Sequence, residues 1–138
     1  MMTAPGFYQR RKGVAAIEFA IVAPLLILLL ASMVVWGGWL WLAHGVQSLA
    51  SESARAALGG LDKSERELLA RAFVDREGEV VVGLPSERAA VAVTSDPEAI
   101  RVDVQYDVSG HPLMMLARLT PAPPSVIARS AVVRTGGY

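Results

Sequence analysis

Glu18 is the residue whose type and position most invite chemistry. It stands alone in an apolar stretch, with Val14, Ala15, Ala16 and Ile17 before it and Phe19, Ala20, Ile21 and Val22 after it. A charged side chain in a membrane helix costs about 2.5–3.5 kcal/mol at the centre and less near the interface. One account is a shallow carboxylate that reaches the headgroups and suits the positive end of the helix dipole. The other account begins at Gly13, which directly follows the basic cluster Arg10, Arg11 and Lys12. A cut between Gly13 and Val14 would create an α-amino group on Val14, one helical turn from the Glu18 carboxylate. That amine can neutralise Glu18 in its own chain or in a neighbouring one. The chemistry on offer is therefore peptide cleavage followed by charge pairing.

Nothing else in the chain reads as a catalytic or ligand site. His44 and His111 are the two histidines, and neither has companions at metal-ligand spacing. Ser48, Ser51 and Ser53 lack the strand-turn-helix context of a nucleophile and read as small packing residues. Gly59-Gly60 and Gly136-Gly137 lack the pattern that flanks a phosphate loop. There is no cysteine, hence no disulfide framework, thiolate metal site or cysteine nucleophile. The expectation is a non-enzymatic protein without cofactor or metal. A formal net charge of zero argues against a general nucleic-acid binder.

The elements that must position Glu18 follow from hydropathy and charge. Apolar residues make up 53% of the 138, and mean hydropathy is +0.40. The excess is concentrated between Phe19 and Ala43, a run without a single charge. A bilayer core needs about 20 apolar helical residues. Residues 1–13 carry three basic groups and no acid, and the remainder carries 10 basic and 13 acidic groups. That asymmetry places the N-terminus in the cytoplasm and residues 44–138 across the membrane. Three readings fit residues 1–43: a cleaved secretory signal, an uncleaved single-span anchor, or a leader cut before the apolar run. The run is too long for a secretory signal and ends in Trp36, Trp39 and Trp41, which suit the far interface.

Beyond the membrane the helical period continues, with Val46, Leu49, Ala50, Ser53 and Ala57 on one stripe up to the stop at Gly59-Gly60. One helix over about 14–58 spans roughly 65 Å. Gly37-Gly38 is expected to loosen it near the outer face, and Pro24 to kink it mildly. Asp62 is expected to cap a second helix, with Glu65 at the capping-box offset, ending near Arg76 before Gly78. Short strands are expected at Glu79–Leu84 and Ala89–Thr94. The strongest follows, with Ile100, Val102, Val104, Tyr106 and Val108 alternating with polar residues. Ile127–Arg134 is the last. The fold class is α+β: a long N-terminal helix, a short second helix, and an antiparallel sheet of three or four strands resting on the outer part of the first. Pro112–Leu119, rich in Leu and Met, reads either as a lid on the core or as a partner surface.

The stretch from Arg10 to Leu26 resembles the N-terminus of TadE-like pseudopilins, minor components of the tight-adherence (Tad) branch of bacterial type IV pili. It has the basic leader, Gly13, a few small residues, Glu18 followed by Phe19, and an apolar run with the early Pro24. The Tyr106-x-Val108 run, the Pro112-Leu113 turn and the final Ala/Val-rich strand also look like the family. The resemblance implies a leader at 1–13, a transmembrane segment at 14–43 and an extracytoplasmic α+β domain at 44–138. It implies cleavage between Gly13 and Val14 by a prepilin peptidase, orientation by Arg10, Arg11 and Lys12, and assembly through Glu18 and Phe19. The implied partners are other pilin or pseudopilin subunits, the Tad secretion machinery and the membrane. The implied place is the inner membrane, single-pass, with passage into a surface pilus used in adhesion. The alternative is a membrane-anchored binding protein with no leader cleavage.

Overall fold

The computed structural model describes residues 7–136, with side chains from Gly13 onward. Helix α1 runs Phe7–Ala57 without interruption, 51 residues with Pro24 inside. At 1.5 Å per residue it is about 77 Å long. It ends in the turn Leu58–Gly60, where successive amides bond back to the carbonyls of Arg55, Ala56 and Ala57. Helix α2, Lys63–Val82, starts at the N-cap Asp62, whose carboxylate accepts from the Glu65 amide at 2.8 Å. Glu65 returns a bond by accepting from the amide of Leu61 at 2.7 Å. The capping box expected here is thus formed, with its return bond shifted one residue outward.

The sheet has three antiparallel strands in the order β1 (Ala89–Ser95), β2 (Ala99–Asp107), β3 (Val126–Arg134). Strand β2 is the centre, and Ile100, Val102, Val104 and Tyr106 are fully buried on its inner face. The alternation on β2 forces this register, since a slip of one residue would turn all four to water. Val93 pairs with Val102, and Ile127 with Tyr106. The inner face rests on the stripe Val46, Leu49, Ala50, Ser53 and Ala57 of α1, every one buried, and on Ala70, Val74 and Val82 of α2. The small residues Ala50, Ser53, Ala54 and Ala57 let the elements close in. The Ser53 hydroxyl satisfies itself on the Ala50 carbonyl at 3.0 Å. Arg66 and Arg71 tie α2 to the hairpin, through Ser95 and, at 2.7 Å, the Ala89 carbonyl.

Two expectations are corrected. The stretch Glu79–Leu84 is not a strand. Helix α2 passes through Gly78 to Val82 and stops at Gly83, whose left-handed φ of 73° lets its amide bond the Glu79 carbonyl. Gly78 is a contact rather than a stop: a side chain there would meet the Tyr106 ring at 3.4 Å. Burial of Val82 and the fit of Val81 into the space left by Gly45 hold the last turn helical. Nor does Gly37-Gly38 interrupt α1, which continues through both.

Tyr106 joins the layers. Its hydroxyl donates to the Leu84 carbonyl at 2.7 Å and lies 3.1 Å from that of Pro85, fixing the chain where α2 turns into the sheet. Burial, reinforced by Glu79 and Glu87, raises its pKa above the ordinary phenol value. A raised phenol pKa contributes stability that is complete below about pH 10 and is lost as pH climbs through the folded value. Tyr106→Phe should cost about 1–2 kcal/mol at neutral pH through the lost bonds. Its melting-temperature deficit against wild type, measured in detergent micelles, should narrow above about pH 10.

Candidate assembly site

From Gly13 to Val34 helix α1 is bare. Its side chains are exposed except for half-buried Ala23, Ala31 and Ser32, so among the described residues nothing covers this length. These 22 residues measure about 33 Å, close to the thickness of a bilayer core. This is the one helix among the described residues that is long and apolar enough to cross a membrane. Its one charge is Glu18. Val14 and Glu18 lie one turn apart, and Phe19, beside Glu18, is 73% exposed. The Ser32 hydroxyl turns back to the Leu28 carbonyl at 2.8 Å, so it presents no unmet donor. Gly13 and Val14 sit within the helix, and a side chain built on Gly13 would meet nothing within 4 Å. The side chains of Arg10, Arg11 and Lys12 lie outside the described residues.

Cover begins abruptly at Val35, which is fully buried. The grip comes from the segment between β2 and β3. There His111 caps the short helix α3, Pro112–Leu116, its Nδ1 accepting from the Leu113 amide at 3.2 Å. A 3₁₀ turn, Ala117–Leu119, and the run Pro121–Pro124 follow. Leu113 lies in the space opened by Gly38, where an added Cβ would stand 2.8 Å from the leucine. The Trp36 indole donates to the Pro121 carbonyl at 3.1 Å, and that of Trp39 to the Pro124 carbonyl at 2.9 Å. The two rings meet edge to face at 6.1 Å, and the Arg129 guanidinium lies over the Trp39 ring. Pro112–Leu119 therefore has two faces: Leu113 and Ala117 turn inward, while Met115 and Leu119 stay 70% and 65% exposed.

This collar was only partly legible. The tryptophans stood out as residues suited to the far membrane interface, but their bonds to a proline-rich strap did not. A half-buried indole N–H needs an acceptor, and that requirement was the available signal. Arg129 was missed because its place depends on register: it pairs with Val104, whose side is the inner face. An inward charge on an edge strand also discourages pairing with a further strand. His44 shares a shallow crevice with Gln47 and Arg129. Among the described residues no group of three or more His, Asp or Glu is placed to hold a metal.

The family model described as TadE-like protein matches residues 13–55. That segment is TadE-like. The match opens at Gly13, covers the bare length and the collar's α1 residues Trp36, Gly38 and Trp39, and ends within the buried stripe of α1, while the strap of the collar lies outside it. The family is one of pilus components. The likeness drawn for Tyr106-x-Val108, Pro112-Leu113 and the last strand lies beyond the matched residues. No curated protein and no solved structure matches the chain.

The collar carries a direct test. Trp39→Phe keeps an aromatic ring, though a smaller one, but loses the bond to Pro124 and weakens the stacking of Arg129. It should lower stability by about 1–2 kcal/mol. Limited proteolysis should cut the 117–125 strap faster in this variant than in wild type.

Proposed function

We propose that the chain is a minor pilin or pseudopilin that takes part in assembling a Tad-type pilus. The observation that carries this is the bare apolar length from Gly13 to Val34, with one carboxylate near its start, on a TadE-like segment. In this reading Arg10, Arg11 and Lys12 hold the N-terminus in the cytoplasm. The bare length spans the inner membrane, and residues from Val35 onward stand on the far side. A prepilin peptidase cuts after Gly13, so the mature helix starts at Val14. The helix then exchanges lipid for helices of neighbouring subunits, guided by the Tad machinery.

That exchange explains the need for Glu18. Lipid chains and Leu-rich helices are equally apolar, so apolar matching alone selects no register. A buried carboxylate left alone costs several kcal/mol, and the Val14 amine of a neighbour removes that cost. Only the register that brings the two together is then stable. Glu18→Ala should therefore be processed and inserted normally, yet fail to support surface fibres in a deletion background. Glu18→Asp should be intermediate because it reaches less far. Normal fibre output from Glu18→Ala at wild-type subunit level would reduce Glu18 to an interfacial carboxylate and defeat the mechanism.

A second reading, an uncleaved anchor with a binding ectodomain, draws support from α1 running unbroken from Phe7 through Gly13. The mature N-terminus separates the two. Because Gly13 has open space around it, Gly13→Leu should leave the fold intact while blocking cleavage. Mass spectrometry of native membranes should find Val14 first in wild type and residues 1–13 retained in Gly13→Leu. An intact leader in wild type, with the peptidase active, would favour the anchor.

A further inference from the structure

The outward face of the collar is unexplained by the core. Met115 and Leu119 are apolar, exposed and two turns of one segment, while Leu113 and Ala117 already fill its inner side. The segment touches α1 at Trp36, Gly38 and Trp39. At 1.5 Å per residue these contacts lie within about 8 Å of Val34, where the bare length ends. The segment carries Arg118 and no Asp or Glu, Arg129 lies over the Trp39 ring beside it, and α1 has no acid between Glu18 and Glu52. Asp107, at the upper border, is paired with Arg88 at 3.4 Å.

We propose that the 108–125 segment is a foot resting in the outer leaflet of an anionic lipid bilayer, with Met115 and Leu119 inserted and Arg118 and Arg129 at the level of the headgroup phosphates. The proposal rests on the reading of Gly13–Val34 as a membrane span. Lipid is the occupant because the foot is continuous with that span and is held beside the bilayer by it, so the contact is intramolecular in effect. Two apolar side chains would not bind a membrane from solution, but they suffice to set height and tilt once the helix is anchored. Arg118 and Arg129 match an anionic surface, and the neighbouring indoles suit the same interfacial depth. Docked in this way, the ectodomain holds a fixed pose until the helix is drawn from the membrane.

The chain has no cysteine, so single labels can be placed at will. Full-length protein, one chain per lipid nanodisc containing phosphatidylglycerol, would carry a nitroxide at Met115→Cys or Leu119→Cys. Leu28→Cys serves as the lipid reference and Leu61→Cys, 90% exposed beyond the end of α1, as the water reference. Accessibility to oxygen over a water-soluble nickel chelate should rise several-fold at 115 and 119 relative to 61, approaching the value at 28. Water-like labels at 115 and 119 with a lipid-like label at 28 would overturn the foot and leave the span standing. A water-like label at 28 would overturn the span, and the foot with it. Arg118→Glu should make both foot labels shallower, and unchanged depth would overturn the role given to charge.

Discussion

The ectodomain covers one face of α1, and only from Val35 onward. Everything else in the molecule follows from that unequal cover. Below Val35 the helix presents apolar side chains all round, which water cannot tolerate over 22 residues and lipid or other helices can. Above it the same helix narrows its apolar content to the stripe Val46, Leu49, Ala50, Ser53 and Ala57, which the sheet and α2 bury. A single helix thus serves two environments, and the collar of Trp36, Trp39 and the proline-rich strap marks the change between them.

The ectodomain is small, so close approach takes the place of bulk. Val81 enters beside Gly45 and Leu113 beside Gly38, each where an added Cβ would stand 2.8 Å away, and Tyr106 packs at contact distance on Gly78. The hydroxyl of Tyr106 then closes the turn after α2. These contacts fasten the second half of α1 to the domain as one body. Displacement of α1 along its axis would consequently carry the domain with it, as the proposed exchange of lipid for subunit helices requires.

Local signals were readable and long-range ones were not. The alternation of Ile100 to Val108 set the central strand and its buried face without any knowledge of its neighbours. The Asp62–Glu65 box and the small-residue stripe on α1 were equally plain, because their partners lie within a few turns. Glu79–Leu84 was misread because three valines favour a strand locally, whereas Val81 and Val82 find their burial against α1 and the core. Gly78 punctuated the sequence like a stop, although its reason is an aromatic ring that comes from residue 106. At the candidate site, Gly13, Val14, Glu18 and Phe19 were legible because cleavage and charge pairing need only one helical turn. Arg129 and the carbonyl acceptors of the collar depend on strand register and on a loop 85 residues away in sequence, which no local pattern discloses.

The central claim is that the bare length of α1 exchanges lipid for the helices of other subunits. A photoreactive residue at position 26, in cells that build the pilus, tests it most directly, with position 61 as the control beyond the end of α1. The account predicts covalent adducts between this chain and other pilin subunits from position 26, dependent on an intact Glu18. Adducts to lipid alone from position 26, in cells that are assembling fibres, would contradict it.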